Sequence, residues 1–480
     1  MENNLKKKTV VGMVWSTFQR FGKMGIAFIA NLVMARLLTP DDYGAIGILM
    51  VFIALSAVFI DAGFGNALIQ KTNPTKEDFS TIFYFNLIIS GVIFLILYIA
   101  APSIARFYKM DLLCDLLRVL SLVLVLNALS LIQDCRLRKE MNFKILSIAT
   151  IVSASLGAGA GIYTAIVGYG VWSLVIYNIV EAASRTIILW VMCRWWPSLY
   201  FSWNSLKQLF RYGSFLLANS LLFTLRRNAI AIFMGKLYQA SDLGHYSQAK
   251  KLEEVPVTAI QTVIGQVTFP MFASVKDNIQ QLKVAQKKGN VLLAFLCVPL
   301  MCLSLVLAHD LIIGLFTEKW AAAIPYFQVL CICGIFVSLQ EVNANVITAL
   351  GHSGLYFKWS IVKTILLFVL LYAGSFIGIY GMLLAWCIQN LLAYVINAVL
   401  SGKFTSYNLW QQTKDLLPVY GISLISGVVV WLLGCAMHFN PWFSIVIQTL
   451  SFGVLYLGVF YWLKREYLSD FLGAVKVIKK

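Results

Sequence analysis

The stretch Arg36-Leu-Leu-Thr-Pro-Asp-Asp-Tyr-Gly44 is a polar interruption between two long apolar runs. At Lys236-Leu-Tyr-Gln-Ala-Ser-Asp-Leu-Gly244 the same outline returns. A basic residue (Arg36, Lys236), the following Leu, an acid (Asp42, Asp242) and a closing Gly (Gly44, Gly244) each recur 200 positions later. Gly65 and Gly265 keep that offset. Further along, Phe143-Lys144 matches Phe357-Lys358 and Tyr169-Gly170 matches Tyr380-Gly381, the offset drifting to 214 and then to 211 as small loop insertions would make it. An ordered series of this kind marks a duplication.

Composition says where the duplicated chain resides. Of its 480 residues, 60% are hydrophobic and only 12% charged, with a mean hydropathy of +0.80. A soluble core cannot hide so much apolar surface, whereas a bilayer can. The basic head Met1-Glu-Asn-Asn-Leu-Lys-Lys-Lys8 is followed by a run that carries Arg20 and Lys23 and lacks a small-residue cleavage site, so it does not resemble a cleaved signal. The nine cysteines form no CxxC pair. Cys331 and Cys333 read as small hydrophobes in a helix, and no metal site is expected.

Hydropathy predicts an all-α polytopic membrane protein with fourteen spans, each long enough to cross about 30 Å of hydrocarbon. They cover 11–35, 43–69, 80–105, 114–134, 144–167, 170–193, 209–235, 243–272, 289–316, 322–350, 355–378, 380–401, 416–437 and 442–463. The formal charge of +17 does not point to nucleic acid, because it is sorted by loop. Lys6–Lys8, Lys71, Lys76, Arg136, Arg138, Lys139, Lys144, Arg194, Lys207, Arg211, Lys276, Lys283, Lys287, Lys288, Lys403, Lys414 and the tail (Lys464, Arg465, Lys476, Lys479, Lys480) fall on one side. Little more than Arg36, Arg106, Lys109, Lys236 and Lys319 falls on the other. The positive-inside rule then puts both termini in the cytoplasm and the two copied loops outside.

Spans 1–6 and 7–12 are thus two copies of one six-helix unit. Six is even, so both copies enter the membrane in the same direction, a parallel repeat with spans 13 and 14 appended. The expected divisions are 1–208, 209–402 and 403–480. Two lobes related by a pseudo-twofold are a transporter architecture, with the site expected at the seam. Gly44 and Gly244 are expected to serve the turn into the following helix.

Charges inside spans are costly, roughly 2.5 to 3.5 kcal/mol each at mid-bilayer, so they line water or pair. They cluster here in the first two spans of each copy: Arg20 and Lys23, Asp61, Arg226 and Arg227, then Lys250, Lys251, Glu253 and Glu254. Gly12, Ser16, Gln19, Lys23, Ala27 and Asn31 form one small-and-polar stripe on span 1, and Gly213, Ser220, Thr224 and Arg227 another on span 7. Small-residue stripes also serve helix contacts, but adjacent guanidiniums at Arg226-Arg227 would cost about 5 kcal/mol in lipid and call for an aqueous cavity. The planar guanidinium fork suits phosphate or carboxylate. Arg20, Lys23, Arg226, Arg227 and Lys250 are accordingly the candidate contacts to an anionic solute, with Glu253 and Glu254 near enough to Lys250 and Lys251 to pair with them. Asp61 and Glu341 are candidates for proton or sodium coupling. Glu181 and Arg185, four apart on span 6, are expected to pair with each other, and Lys363 either lines a cavity or reaches the cytoplasmic surface. No catalytic constellation appears, His245, His309, His352 and His438 being scattered, and there is no phosphate loop, so no enzyme is expected and no resident cofactor.

Several segments resemble a known family. "ARLLTPDDYGAIGI", "DAGFGNALIQK", "GQVTFPMFASV", "GLFTEKWAAAIPYFQVL" and "YFKWSIV" are similar to the Wzx-type polysaccharide flippases of the MOP superfamily, most of all the colanic and teichuronic acid exporter branch. The resemblance implies a bacterial inner-membrane transporter. Its substrate would be an undecaprenyl-pyrophosphate-linked oligosaccharide repeat unit, moved by alternating access for surface polysaccharide biosynthesis. Membrane lipids and polysaccharide polymerase or export machinery are the implied partners; the chain is expected to act as a monomer without nucleic acid. The alternative is a multidrug or small-solute exporter of the MATE type on the same fold.

Overall fold

The computed structural model describes the backbone of residues 2–61, 64–71, 74–275, 277–436 and 440–463, with side chains except at 2–10, 66, 208–216, 262–264, 266–267, 269–270, 273 and 463. Lys276, His438 and the basic tail from Lys464 lie outside the described residues, as do the surroundings of Lys6, Lys7, Lys8, Arg211 and Gly213.

The helices are α1 (Glu2–Leu37), α2 (Pro40–Asp61), α3 (Phe64–Gln70), α4 (Lys76–Tyr108), α5 (Leu112–Leu120), α6 (Leu122–Lys139), α7 (Phe143–Val167), α8 (Trp172–Cys193), α9 (Trp203–Leu237), α10 (Ala240–Ser274), α11 (Ile279–Val306), α12 (Ala308–Phe316), α13 (Ala323–Ala349), α14 (Ser353–Ser375), α15 (Ile379–Thr405), α16 (Leu409–Ala436) and α17 (Pro441–Leu463). No strand occurs among the described residues. With α3 counted as the tail of α2, and α5–α6 and α11–α12 as broken crossings, these make the fourteen crossings expected. Eleven described segments are apolar and long enough to cross a membrane. The remaining long helices, α1, α9 and α10, are the three that carry the clustered charges. Span 2 differs from expectation in that α2 stops at Asp61, whose Oδ1 lies 3.2 Å from where a Cβ on Gly65 of α3 would stand.

The copied loop is a helix start. In α2 the Thr39 N–H and hydroxyl both donate to Asp42 Oδ2, each at 2.8 Å, and the Asp42 N–H returns a bond to Thr39 Oγ1. At α10 the Gln239 N–H donates to Asp242 Oδ2 at 3.3 Å. Both are capping arrangements, in which the third helical residue reaches back to the cap. The glycines do something other than the turning expected of them, since neither has a positive φ. A Cβ on Gly44 would fall 1.8 Å from the Ala240 carbonyl oxygen, and one on Gly244 1.8 Å from that of Pro40. The first turns of α2 and α10 press backbone on backbone, each glycine admitting the first residue of the other helix.

By compactness the chain divides at Gly244/His245. In unit 1, α7 packs on α1 and α8, α6 on α4 and α8, and α9 on α2, α3 and α4. Gly235 lets α9 approach closely, its missing Cβ lying 2.9 Å from Ile48 and 3.0 Å from Tyr108. Span 7, second-copy by sequence, is thus unit 1 material by packing. Lys139 Nζ caps the end of α3 by donating to the carbonyls of Leu68, Ile69 and Lys71. An apolar cluster of Phe64, Leu68, Phe79, Phe83, Ile132 and Trp195 fills the space behind it.

Unit 2 is held by α11, α13, α15 and α16 around a knot of neutral amides. Gln286 donates to Asn343 (2.7 Å) and Ser401 (2.9 Å), Asn290 donates to Gln412, and Asn397 donates to the Gln340 carbonyl. Phe295, Phe452, Tyr456 and Phe460 seal α17 against this core. Lys363 neither lines a cavity nor reaches a surface: it is 1% exposed, its ammonium 4.8 Å from the centre of the Tyr356 ring.

Candidate functional site

The site begins with small residues. Gly157 and Gly161 stand one turn apart on α7, and their absent side chains let α8 come within van der Waals distance. A Cβ at Gly157 would meet Glu181 Cβ and the Tyr177 carbonyl at 2.9 Å, and one at Gly161 would meet Tyr177 Cβ at 2.9 Å. On the other side of α7 lies the stripe of α1. Gly12 fits against Phe143 and Gly22 against Ile151, Gln19 Nε2 donates to Thr150 Oγ1 at 2.9 Å, and Ser147 donates to the Trp15 carbonyl at 2.8 Å. That stripe is therefore a helix contact along most of its length. It opens at Lys23.

Lys23 Nζ lies 2.6 Å from Glu181 Oε1. Glu181 does not pair with Arg185, as its i,i+4 spacing suggested. Arg185 reaches instead to Asp134 on α6, which also binds Arg138. The reason is geometric: α7 and α6 bracket α8, so its two charges face different neighbours. Both carboxylates are mostly shielded, 14% and 15% exposed. A carboxylate shielded to that degree depends on its cationic partner, because an unpaired buried charge is costly. Lys23, Glu181 and Arg185, with Gln19, Val123, Asn127, Thr150, Asn178 and Ala182, line a cavity of about 420 Å³ inside unit 1.

The other candidates fall elsewhere. Arg20 is exposed one turn before Lys23 on α1. Arg226 and the exposed Arg227 sit on α9, with the Arg226 guanidinium 6.0 Å from the centre of the Phe223 ring. In unit 2, Lys250 Nζ lies 2.7 Å from Glu253 and 4.0 Å from Glu254, and 5.9 Å from the centre of the Trp386 ring. Glu253 is 1% exposed, tucked where a Cβ on Gly334 would come within 2.7 Å of its carboxylate. Lys250 therefore spends its charge on carboxylates, the pairing expected. Asp61 is exposed at the end of α2, and Glu341 is exposed on α13. No group of His, Cys, Asp or Glu able to hold a metal occurs among the described residues.

Asp134, Asn127, Asn178 and Thr150 were not among the candidates. Asp134 sits within the run Asp134-Cys-Arg-Leu-Arg-Lys139, where the basic residues draw attention to topology. The spacing of four between Gly157 and Gly161 on α7 was the available signal that α8 would come close.

The model of the family described as "Polysaccharide biosynthesis protein" matches residues 33–325. The chain belongs to this family. Among curated relatives it is 27% identical to the teichuronic acid biosynthesis protein TuaB of Bacillus subtilis (strain 168), over 84% of this chain and 86% of that one. It is 26% identical to the lipopolysaccharide biosynthesis protein WzxC of Escherichia coli (strain K12), over 89% of each, and 24% identical to the succinoglycan biosynthesis transport protein ExoT of Rhizobium meliloti (strain 1021), over 82% and 80%. Two solved structures share the fold. One is the lipid II flippase MurJ in an inward closed conformation, with a TM-score of 0.77 and 14% identity over 94% of this chain and 99% of that one. The other is an inward-facing MATE transporter of the MOP superfamily, with a TM-score of 0.67 and 14% identity over 82% and 98%. Family members of this kind are multi-pass membrane transporters, as the quoted segments implied.

Proposed function

We propose that the chain moves an undecaprenyl-pyrophosphate-linked oligosaccharide repeat unit from the cytoplasmic to the outer face of a bacterial inner membrane, for surface polysaccharide biosynthesis. It acts as a transporter and not as an enzyme. What carries the reading is a charged, polar cavity set among membrane-crossing helices, in a chain whose family and relatives are named for polysaccharide biosynthesis and transport. Apolar crossing helices have no need of such a cavity for stability, and burying charge there is costly. A polar cargo makes sense of it. Arg20, Arg226 and Arg227 supply positive charge for the pyrophosphate, the arginine fork matching its oxygens. Lys23 and Lys250, each already facing a carboxylate, contribute as halves of ion pairs. Both termini face the cytoplasm by the charge bias of the loops.

The test is the sidedness of the lipid-linked oligosaccharide in spheroplasts, read with an external glycan-modifying probe. Cells lacking the protein should accumulate units that the probe cannot reach, and the native chain should restore access. Arg226→Ala with Arg227→Ala, at equal expression, should cut access at least tenfold. Units that reach the outer face equally well without the protein would refute the proposal and turn attention to export of small cationic solutes.

A further inference from the structure

The positive groups of the unit 1 cavity differ from those of an open anion pocket: each is already engaged by a carboxylate. Lys23 lies 2.6 Å from Glu181, and Arg185 binds Asp134 behind it, which Arg138 shares. An anion approaching Lys23 meets the Glu181 carboxylate beside it, and a cation meets Lys23 and Arg185. Like charge at such range offsets part of what opposite charge offers. The remaining polar lining is neutral. Asn127 is exposed on the wall; Asn178 keeps its amide nitrogen on the Leu174 carbonyl at 2.7 Å; Gln19 and Thr150 are bonded to each other. The wall thus offers acceptors (Glu181, the Asn178 amide oxygen) next to donors (Lys23, Arg185, the Asn127 amide). A solute that is uncharged and carries donors and acceptors on adjacent atoms satisfies both. Sugar hydroxyl groups have that character. A volume of about 420 Å³ falls in the range of about 300–1,000 Å³ typical of small-molecule sites.

We infer that this cavity is a subsite for neutral sugar hydroxyls of the cargo, separate from the groups that hold its pyrophosphate. The inference rests on the flippase reading and adds to it a division of labour: arginines outside the cavity address the lipid phosphate, and the balanced wall addresses the glycan.

Two lipids separate the roles. One is the undecaprenyl-pyrophosphate-linked oligosaccharide extracted from cells that lack this protein; the other is bare undecaprenyl pyrophosphate. Affinity for each is measured on the purified full chain in lipid nanodiscs, for the native protein and for Asn127→Ala and Asn178→Ala. Asn127 is chosen because its exposed amide can be removed with little effect on packing. The native chain should prefer the glycosylated lipid at least tenfold, and each variant should reduce that ratio about fivefold, the loss of about one hydrogen bond. A ratio unmoved in both variants, or a native chain that binds the two lipids equally, overturns the subsite while leaving the flippase reading intact. A native chain that binds neither lipid overturns both.

Discussion

An ammonium and a carboxylate 2.6 Å apart in the wall of a helix bundle hold each other in place. Lys23 is 47% exposed to the cavity and Glu181 only 14%, so the carboxylate depends on its partner more than the ammonium does. Removing Glu181 leaves a cation that can still turn toward cavity water, whereas removing Lys23 strands a shielded anion among α1, α7 and α8. Lys23→Ala should therefore destabilise the protein by about 1–3 kcal/mol and Glu181→Ala by less, while the double variant should recover part of the loss. Thermal unfolding midpoints in detergent, compared in a double-mutant cycle, measure the coupling. Strictly additive losses would mean that the pair contributes nothing. At this scale the sequence was legible in part. The spacing of Gln19 and Lys23 marked the right face of α1, but the i,i+4 spacing of Glu181 and Arg185 suggested a partnership that the packing of α6 and α7 divides between other residues. Periodicity assigns residues to faces of one helix; it is silent on which neighbour each face will meet.

Helices were far more legible than their ends. Runs of apolar residues fix a crossing whatever lies around it, which is why eleven of the described segments stand out by length and hydropathy alone, while the charge-bearing α1, α9 and α10 do not. Ends depend on single caps, such as Thr75 and Asp78 exchanging hydrogen bonds at the start of α4. The recurring glycines show the same limit from the other side, since a glycine in a polar loop usually signals a turn. At Gly44 and Gly244 the requirement is contact between backbones. With a carbonyl oxygen 1.8 Å from where the Cβ would be, even alanine forces the first turns of α2 and α10 apart. Gly44→Ala and Gly244→Ala should each abolish most export and lower stability by more than about 2 kcal/mol, whereas Gly25→Ala, which meets no atom within 4 Å, should be tolerated. Export assays alongside detergent-solubilised yield distinguish these outcomes; native behaviour of both loop variants would show that the approach is not required.

For the whole molecule, the order of loops is what predicts both a duplication and an orientation. Orientation can be checked with a residue the chain already has. Cys435 is exposed near the end of α16, which the charge bias places on the outer side. A membrane-impermeant maleimide should label it in intact spheroplasts, and Cys435→Ser should remove that labelling; labelling that requires permeabilisation would invert the topology. The two units differ in how their interiors are tied. Unit 1 carries the Lys23–Glu181 and Arg185–Asp134 pairs, whereas unit 2 combines the buried Lys250–Glu253 pair with uncharged amides from Gln286, Asn343 and Ser401. The repeat carried no sign of this difference, because the matched segments lie in loops and helix starts and not in the packed interiors.

The place of α9 bears on how the protein is made. Unit 1 is complete only when residue 244 has left the ribosome, which at about 5–20 residues per second takes about 12–50 s. Until α9 follows, the earlier helices lack the neighbour that Gly235 sets against Ile48 and Tyr108. A nascent chain interrupted at the repeat boundary near residue 208 would therefore not be a finished half but an intermediate with an unoccupied berth. The membrane insertion machinery must either shelter that berth or deliver the next helix before another protein takes it.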